Sequence, residues 1–540
     1  MILIANKEIK NQFRYKYKFK NIWFYLSNSD FIAKKDNNSF KILYGTPILY
    51  VKDFSPSQLD KIGGNFVLIE VNKNGLTIFT DPFSIMDIFY STDCFFISDN
   101  LSNYKLIEKN IELDLKGVSE FIFTSTTFNS RTTIKNVKKI PPQSRLIYVD
   151  PSNIFIERNY YLKYHNKITN KKTAVDELTK AIKSAAKDIA KKANYLLLSS
   201  GMDSRAILAA YPHLECLTAS PLNKKKFPSF CLASNLTNIY DLKHHLIPYS
   251  EKDYIEFSEE GAALSNCRTT FIHMHFSNLK KGRIAHGLLF DALIKGSARQ
   301  SLLEKIITQE SCKIVETKIS NVEDYLVRFF TKSQGMINKK IIYKTLQKEY
   351  QDFIKFFRDD IEKEVREYRK ISSSQEDIVD FIWATNQIQL GLEKNLNETN
   401  GTSSAFISMH PKIIKWHFSV PSKFRFGDRL LIESIRQIDS RALAVRKENY
   451  LLNPTKNRLI NCWSHLIKYM FQREYSWIKP EKYLWSASFN KRMEKLWDVY
   501  ECYIPYSNNL KKDQINSIFL RENICNYLLW LNSIKKESIR

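Results

Sequence analysis

The sequence has little of what marks membrane, fibrous or disulfide-linked chains. With 14 glycines and 15 prolines in 540 residues, it is too poor in both for a collagen-like or low-complexity chain. No apolar run approaches the roughly 20 residues that cross a bilayer, and Met1 to Lys10 is charged instead of forming a secretory signal. The eight cysteines include no CxxC pair, which predicts reduced, mostly packed thiols in a cytoplasmic protein rather than a disulfide framework or a zinc site.

The chain is long, apolar enough to fold, and strongly basic. A length of 540 residues predicts two or more domains, and 44% hydrophobic residues can fill their cores. The 82 lysines and arginines exceed the 57 aspartates and glutamates, for a net charge of +25. Such a surplus allows nucleic acid, an anionic membrane face or a nucleotide as partner, and it is equally typical of a lysine-rich solvated surface. Charge alone therefore selects no partner.

The first 165 residues are predicted to form an antiparallel, sheet-rich domain. Asn74-Gly75 between two apolar runs is a hairpin signal, and Gly63-Gly64 marks another turn. The predicted strands, rich in β-branched and aromatic residues, are Ile22 to Leu26, Ile42 to Val51, Asn65 to Val71, Leu76 to Thr80, Cys94 to Ser98 and Ser144 to Tyr148.

Residues 170–540 are predicted to form an α/β domain with a parallel sheet and a helix-rich C-terminal part. Apolar residues three and four apart predict a helix that starts near Thr173, where Thr173 and Asp176 resemble a capping box. Alternating strands and helices are typical of parallel sheets. The next predicted elements are a strand at Tyr195 to Leu198, a helix at Ser204 to Ala210 and a strand at Leu214 to Ala219, with helices dominant after Leu302.

The segment from Leu198 to Arg205 (LSSGMDSR) lies where a predicted strand ends and a helix begins. Small residues let a ligand approach the backbone, and a helix start offers free N–H groups and a partial positive charge. That combination holds a phosphate or pyrophosphate. The competing interpretation is an ordinary Ser or Asp helix cap; the flanking strands favour a ligand site, since ligands collect at the carboxyl ends of parallel strands.

Ser199 to Ser204 (SSGMDS) resembles the SGG(L/M)DS loop of ATP pyrophosphatases, with Ser200 in place of the first glycine. No Walker A motif is present. Further segments are similar to those of asparagine synthetase-like ligases. They are Gly64-Asn65-Phe66, Thr80-Asp81-Pro82-Phe83, Ile140 to Ser144, the diverged GDE-like loop Gly287 to Gly296, Met409 to Trp416, Val420-Pro421 and Val445 to Tyr450.

This resemblance implies an N-terminal glutaminase-like domain of the Ntn type and a C-terminal ATP pyrophosphatase domain. It implies an enzyme that adenylates a carboxylate with ATP and Mg²⁺, after which ammonia or an amine displaces AMP. Asp203 and Asp291 would bind the metal, Asp291 and Lys447 would take part in catalysis, and the strand at Leu217 to Ser220 would line the adenine pocket. The residues expected to bind the nucleotide are Leu198, Ser199, Ser200, Gly201, Met202, Asp203 and Ser204. Of these, Ser199, Gly201, Asp203 and Ser204 would hold the pyrophosphate and Mg²⁺, and the backbone of Leu198 would line the adenine pocket.

The sequence also departs from the family pattern. A working glutaminase of this type begins with a cysteine, whereas this chain begins Met1-Ile2-Leu3, so we expect no intrinsic glutaminase. β-lactam synthetases and lasso-peptide cyclases share that feature. Ala292 replaces an acidic residue and His410 replaces an aspartate of the family. The expected donor is then ammonia, an amine on the substrate, or nitrogen from a partner protein, and candidate products are a sugar or uronic-acid amide or a cyclised peptide.

Two other functional classes remain open from the sequence. The positive charge would suit an RNA-modifying enzyme with a related loop, although the nucleotide loop favours ATP over nucleic acid as the partner. The altered residues would suit a catalytically inactive binding homologue. At single positions, Asp291 is alternatively a helix cap and Lys447 an exposed lysine, while Arg205 is either a phosphate contact or a helix-surface residue. The histidines at 273, 275 and 286 are expected to be packed or on the surface.

Overall fold

The structure is a computed structural model of the 540-residue chain. It describes residues 1–9, 13–27, 31–36, 38–49, 56–73, 75–150, 153–158, 161–221, 228–250, 261–263, 266, 282–299, 319–332, 347–386, 402–447, 452–454, 487–505 and 518–535.

Residues 2–158 contain two antiparallel sheets, each with six strands in the described part of the chain. Their strand orders are β10-β8-β9-β1-β3-β2 and β12-β11-β7-β6-β5-β4. The strands are β1 Ile2–Ala5, β2 Tyr15–Phe19, β3 Ile22–Leu26, β4 Phe31–Lys35, β5 Phe40–Pro47, β6 Gly64–Asn72, β7 Gly75–Thr80, β8 Phe89–Ser91, β9 Phe96–Ser98, β10 Val137–Lys139, β11 Ser144–Asp150 and β12 Asn153–Arg158.

A parallel sheet of five strands forms the second half of the described fold, in the order β15-β14-β13-β16-β17. Its strands are β13 Tyr195–Leu197, β14 Glu215–Pro221, β15 His244–Tyr249, β16 Gly282–His286 and β17 Thr402–Phe406. Among the described residues, the α-helices of four or more residues are α1 Leu59–Ile62, α2 Leu115–Thr124, α3 Lys171–Ala190, α4 Met202–Ala210, α5 Pro228–Ile239, α6 Phe290–Leu293, α7 Val322–Lys332, α8 Gln347–Tyr368, α9 Gln375–Thr385, α10 Pro411–Ser419, α11 Arg429–Asp439, α12 Ala487–Tyr500 and α13 Ile518–Lys535.

The two antiparallel sheets pack face to face. Alternate residues of a strand point to opposite faces, and in β1 the even-numbered Ile2 and Ile4 lie in the core between the sheets. Leu3 and Ala5, on the other face of β1, join a core that includes Val118 of α2. The sheet with β1 at its centre is therefore covered on both sides, by the second sheet and by helices. Residues of α1 cover the outer face of the second sheet in the same way.

The expected succession of antiparallel sheets and then a parallel sheet with helices is confirmed. β3 has the predicted bounds, and β6, β7 and β11 agree closely. Gly63 and Gly64 both adopt positive φ at the turn before β6. Asn72 pairs with Gly75 across the predicted hairpin, while Asn74 lies outside the described residues.

Helix α3 shows the predicted amphipathic face but a different start. Val175, Leu178 and Ile182 are buried along one side. The capping-box interpretation of Thr173 is wrong, because the helix begins at Lys171. Asn170 is the cap, and its side chain accepts a hydrogen bond from the Thr173 N–H at 2.8 Å. An Asn cap satisfies one of the unpaired amides of the first turn. The observed cap, Asn170, lies three residues before the predicted cap, Thr173.

The C-terminal helix α13 returns to the N-terminal half. Asn523 donates from Nδ2 to the carbonyl of Ile122 at 2.8 Å and accepts from the Ser125 hydroxyl at the same distance. Lys105 also donates to the carbonyl of Ser533 at 2.9 Å. The chain beyond 451, about which the sequence predicts little, thus packs in part against α2. Within the described residues, no helix has the length and apolarity needed to cross a membrane.

The burial of Asp81, which follows β7, predicts that the stability of the protein depends on pH. The side chain is fully buried, and burial raises its pKa to about 7 against hydrogen bonds from the Phe83 and Ile85 amides. The folded-state pKa exceeds the unfolded value of 3.8, so protonation of Asp81 favours the folded state. Its contribution to the free energy of unfolding is fully present below about pH 4 and is lost as the pH rises through 7.

We therefore expect the wild type to lose about 4 kcal/mol of unfolding free energy relative to Asp81→Asn between pH 4 and pH 8. Asparagine cannot ionise and mimics the protonated acid. Urea denaturation at each pH measures the difference, with the exposed Asp241→Asn as a control that should follow the wild type. Parallel curves for the wild type and Asp81→Asn would contradict the prediction.

Candidate functional site

The candidate site lies at the central strand of the parallel sheet, where the strand order reverses. From the central strand β13 the sheet extends through β14 to β15 on one side and through β16 to β17 on the other. The loops that follow β13 and β16 therefore diverge at the carboxyl edge of the sheet. A crevice at such a switch point is the usual ligand site of an open parallel sheet.

The loop after β13 leads directly into helix α4. Gly201 is the N-cap and no side chain caps the helix, so the first-turn amides lack the usual capping bond. The two serines shape the loop: Ser199 Oγ accepts from the Gly201 N–H at 3.1 Å, and Ser204 Oγ accepts from the Ser199 N–H at 3.1 Å. Ser199 is exposed while Ser200, Met202 and Ser204 are buried. The interpretation of this segment as a Ser or Asp helix cap is therefore wrong.

Arg205 is fully buried and holds this loop to another part of the chain. Its guanidinium donates to the carbonyl of Ser200 at 3.0 and 3.2 Å. It also donates to the carbonyls of Ala442, Val445 and Arg446, at 3.1, 2.5 and 2.8 Å. The expectation of a helix-surface arginine is wrong. These bonds fix the position of Ser200, the residue that replaces the family glycine, relative to residues 442–446.

Five charged side chains converge beside the loop. The Lys295 ammonium lies 2.9 and 3.0 Å from the two carboxylate oxygens of Asp203 and 2.5 Å from Asp291 Oδ1. It also lies 3.6 Å from Asp428 Oδ1, and Lys447 Nζ lies 2.8 Å from Asp428 Oδ2. We call these five side chains the ionic cluster. The structure thus brings together Asp203, Asp291 and Lys447, which the sequence places at widely separated positions.

Two members of the ionic cluster were missed by sequence reasoning. Lys295 lies four residues after Asp291, a spacing that brings side chains together on one helical face, and this signal was available in the sequence. Asp428 precedes α11 and belongs to none of the motifs. Only the tertiary fold places it against both lysines.

The charges of the ionic cluster are strongly coupled. Burial alone would lower the pKa of Lys295, but the carboxylates of Asp203, Asp291 and Asp428 raise it well above the usual lysine value. Burial opposes ionisation of Asp428 as well, yet Lys447 and Lys295 hold its pKa below the ordinary range. For Asp203 burial dominates and raises the pKa to about 7, with Lys295 acting in the opposite direction.

Gly287 allows the GDE-like loop to approach Asp203. A Cβ on Gly287 would lie 2.7 Å from the Cβ of Asp203, closer than real side-chain contacts. The following residues turn into the short helix α6, whose N-cap is Leu289. Asp291 is therefore not the cap, and the helix-cap alternative for this residue is wrong. Its side chain is 41% exposed at the edge of the crevice.

The pair predicted to bind a metal does not fit a resident ion. Both Asp203 and Asp291 bind the ammonium of Lys295. Across the described ranges, no group of three or more His, Cys, Asp or Glu side chains is arranged to hold a metal ion. The two carboxylates are adjacent as the sequence predicts, but their shared partner is an amine.

The strand expected to line an adenine pocket lies beside the loop. The Leu198 N–H donates to the carbonyl of Leu217 at 2.9 Å, and its carbonyl accepts from the Thr218 hydroxyl at 2.7 Å. Both backbone polar groups of Leu198 therefore already bond within the protein. Binding of adenine at Leu217 to Ser220 stays a prediction.

The residues that depart from the family pattern have structural partners. Ala292 is fully buried in the core. His410 caps α10 by accepting from the Lys412 N–H at 3.2 Å, and its Nε2 lies 3.2 Å from Asp188. His286 is buried beside Ser404, with 3.0 Å between Nε2 and Oγ, as expected for a packed histidine. The histidines at 273 and 275 lie outside the described residues.

Arg205 offers a direct test of how the loop is held. Replacing it with methionine removes the donors to buried carbonyls, each of which costs about 1–3 kcal/mol when left unpaired. We expect Arg205→Met to lower the free energy of unfolding by at least about 3 kcal/mol. The control is Arg441→Met, which removes an arginine that is 59% exposed and paired with Asp439, and should destabilise the protein much less because exposed ion pairs contribute little. Equal losses in the two variants, measured by chemical denaturation, would contradict the assigned role.

Neither models of known protein families nor curated protein sequences match this chain. The resemblance to asparagine synthetase-like ligases therefore rests on the sequence motifs alone.

Proposed function

We propose that this chain is an ATP-dependent ligase that activates a carboxylate as its adenylate and converts it to an amide. One observation carries the proposal. The SSGMDS loop occupies the carboxyl edge of the central parallel strand at the start of α4, and Asp291 and Lys447 converge on it from elsewhere in the sequence. A phosphate-type loop at a switch point is a nucleotide site by general rules of parallel sheets.

The proposed reaction has two steps that balance. A carboxylate oxygen attacks the α-phosphorus of ATP, the bond to the β-phosphate breaks, and pyrophosphate leaves. Ammonia or an amine then attacks the acyl carbon, the new C–N bond forms, AMP leaves and the nitrogen loses a proton. Mg²⁺ enters as part of the MgATP substrate.

The residues of the site have different roles in the proposed reaction. Amides at the start of α4 and the hydroxyls of Ser199 and Ser204 receive the pyrophosphate, since a helix N-terminus favours anions. Lys447, held by Asp428, supplies a cation beside the crevice that can stabilise charge developing when AMP is expelled. The protein otherwise contributes by holding the two reactants in position.

The nitrogen source in this proposal is ammonia or an amine, not glutamine hydrolysed by this chain. Ile2 lies within β1 between β3 and β9, and its N–H donates to Asp99 at 2.9 Å. The candidate products are accordingly a sugar or uronic-acid amide, or a cyclised peptide in which the amine belongs to the substrate. A cytoplasmic location, where ATP is available, completes the proposal.

A negative charge introduced by Gly201→Asp tests nucleotide binding without disturbing folding. Aspartate is a good N-cap, so Gly201→Asp should leave α4 as stable as before or more so. A Cβ there has only Ser199 Oγ nearby, at 3.1 Å. The carboxylate would nevertheless stand where the pyrophosphate should lie. We expect affinity for MgATP, measured by isothermal titration calorimetry, to fall about 100-fold or more, a loss of about 2.7 kcal/mol.

Gly201→Asn is the matched control, because asparagine also caps helices but carries no charge. It should lose much less affinity than Gly201→Asp while melting at a similar temperature. If Gly201→Asp binds MgATP as well as Gly201→Asn does, the pyrophosphate is not bound at the start of α4.

A further inference from the structure

Lys295 is a buried amine at the centre of the candidate site. The residue is 7% exposed. Its backbone is fixed on both sides: the N–H donates to the carbonyl of Phe290 at 3.1 Å, and its own carbonyl accepts from the Gly427 N–H at 2.9 Å. The second contact places Lys295 directly beside Asp428. The side chain is therefore anchored by neighbouring backbone and is not a mobile surface lysine.

The ammonium of Lys295 occupies the space between the carboxylates that the resemblance assigns to a metal ion. Both oxygens of Asp203 lie within 3.0 Å of Nζ, and Asp291 Oδ1 lies 2.5 Å away. A Mg²⁺ ion binds oxygen at about 2.0–2.1 Å and needs near-octahedral space. An ion bridging these same oxygens would have to displace the amine.

We propose that the Lys295 ammonium is the permanent cation of this site and takes the place of a divalent ion bound by Asp203 and Asp291. This inference rests on the proposed function, because it concerns the loop assigned to ATP. It deepens that function by stating that divalent metal reaches the site only on the phosphates of the nucleotide. The nucleotide-free protein has no divalent-ion site of its own at this pair.

The charge of the ionic cluster supports this role. Three carboxylates face two ammonium groups: Asp203, Asp291 and Asp428 all lie within 3.6 Å of Lys295 Nζ, and Lys447 Nζ lies 2.8 Å from Asp428. Without Lys295, the three carboxylates of Asp203, Asp291 and Asp428 would face the single ammonium of Lys447. A carboxylate-rich crevice of that kind attracts a divalent cation. Removing one amine should therefore create a metal site.

Titration of the nucleotide-free protein with Mn²⁺, followed by electron paramagnetic resonance of the free ion, tests the proposal. The wild type should show no saturable site that depends on Asp203. Lys295→Ala should gain one site per chain, with affinity about tenfold or more above any wild-type binding. Adding Asp203→Asn to Lys295→Ala should remove the new site, and Lys295→Arg, which keeps a cation, should behave like the wild type.

Saturable Mn²⁺ binding to the wild type that disappears in Asp203→Asn would overturn the proposal, as would a Lys295→Ala protein that gains no site. Lys295→Gln, which keeps most of the side-chain volume without charge, replaces Lys295→Ala if the latter does not fold. Failure of the proposed function shows differently, as an absence of MgATP binding to the wild type. The Mn²⁺ titration uses no nucleotide and is read independently of that result.

Discussion

The position of the whole candidate site depends on the ion pairs made by Lys295. Its ammonium contacts Asp203 after β13, Asp291 after β16 and Asp428 before α11. Three segments that are distant in sequence are thereby held at one edge of the parallel sheet. Buried ion pairs lose much of their attraction to desolvation, so their main effect here is to specify geometry. Breaking one of them would leave charges uncompensated in a buried place.

A second buried ionic network lies next to the first and stabilises the segment that carries Lys295. Arg299 Nε donates to Asp380 at 2.9 Å, and Arg425 Nη1 donates to the other oxygen of Asp380 at 2.7 Å. Arg425 also bonds to Asp377. All four side chains are fully buried. The network joins α9 to Arg299, which follows α6, and to Arg425, which precedes α11. The backbone that follows Lys295 is therefore attached to the buried core.

Local sequence signals predicted much of the fold. Alternation and helical spacing located β3, β6, β7 and the buried face of α3, because each depends on neighbouring residues. The phosphate-type loop was recognised for the same reason, since its strand, small residues and helix start are contiguous. The helix cap at Asn170 was missed because Thr173 and Asp176 resemble a capping box one turn later.

The remaining features of the site depend on long-range contacts. The bonds from Arg205 to the carbonyls at 442–446 and the contact between Lys295 and Asp428 join residues over 130 or more positions. No periodicity or spacing encodes them. Asp203 and Asp291 were identified as partners in a metal site through resemblance. The i,i+4 spacing of Asp291 and Lys295 was present in the sequence, but the contact of Lys295 with Asp203 depends on the loops after β13 and β16 lying side by side.

The products formed from ATP test the central claim most directly. Wild-type protein is incubated with MgATP, ammonium and a panel of carboxylates that includes amino acids, uronic acids and a peptide, and the nucleotides are separated by chromatography. The account predicts AMP and pyrophosphate in a carboxylate-dependent reaction that Gly201→Asp abolishes. Formation of ADP and phosphate, or binding of MgATP without cleavage across the whole panel, would contradict it.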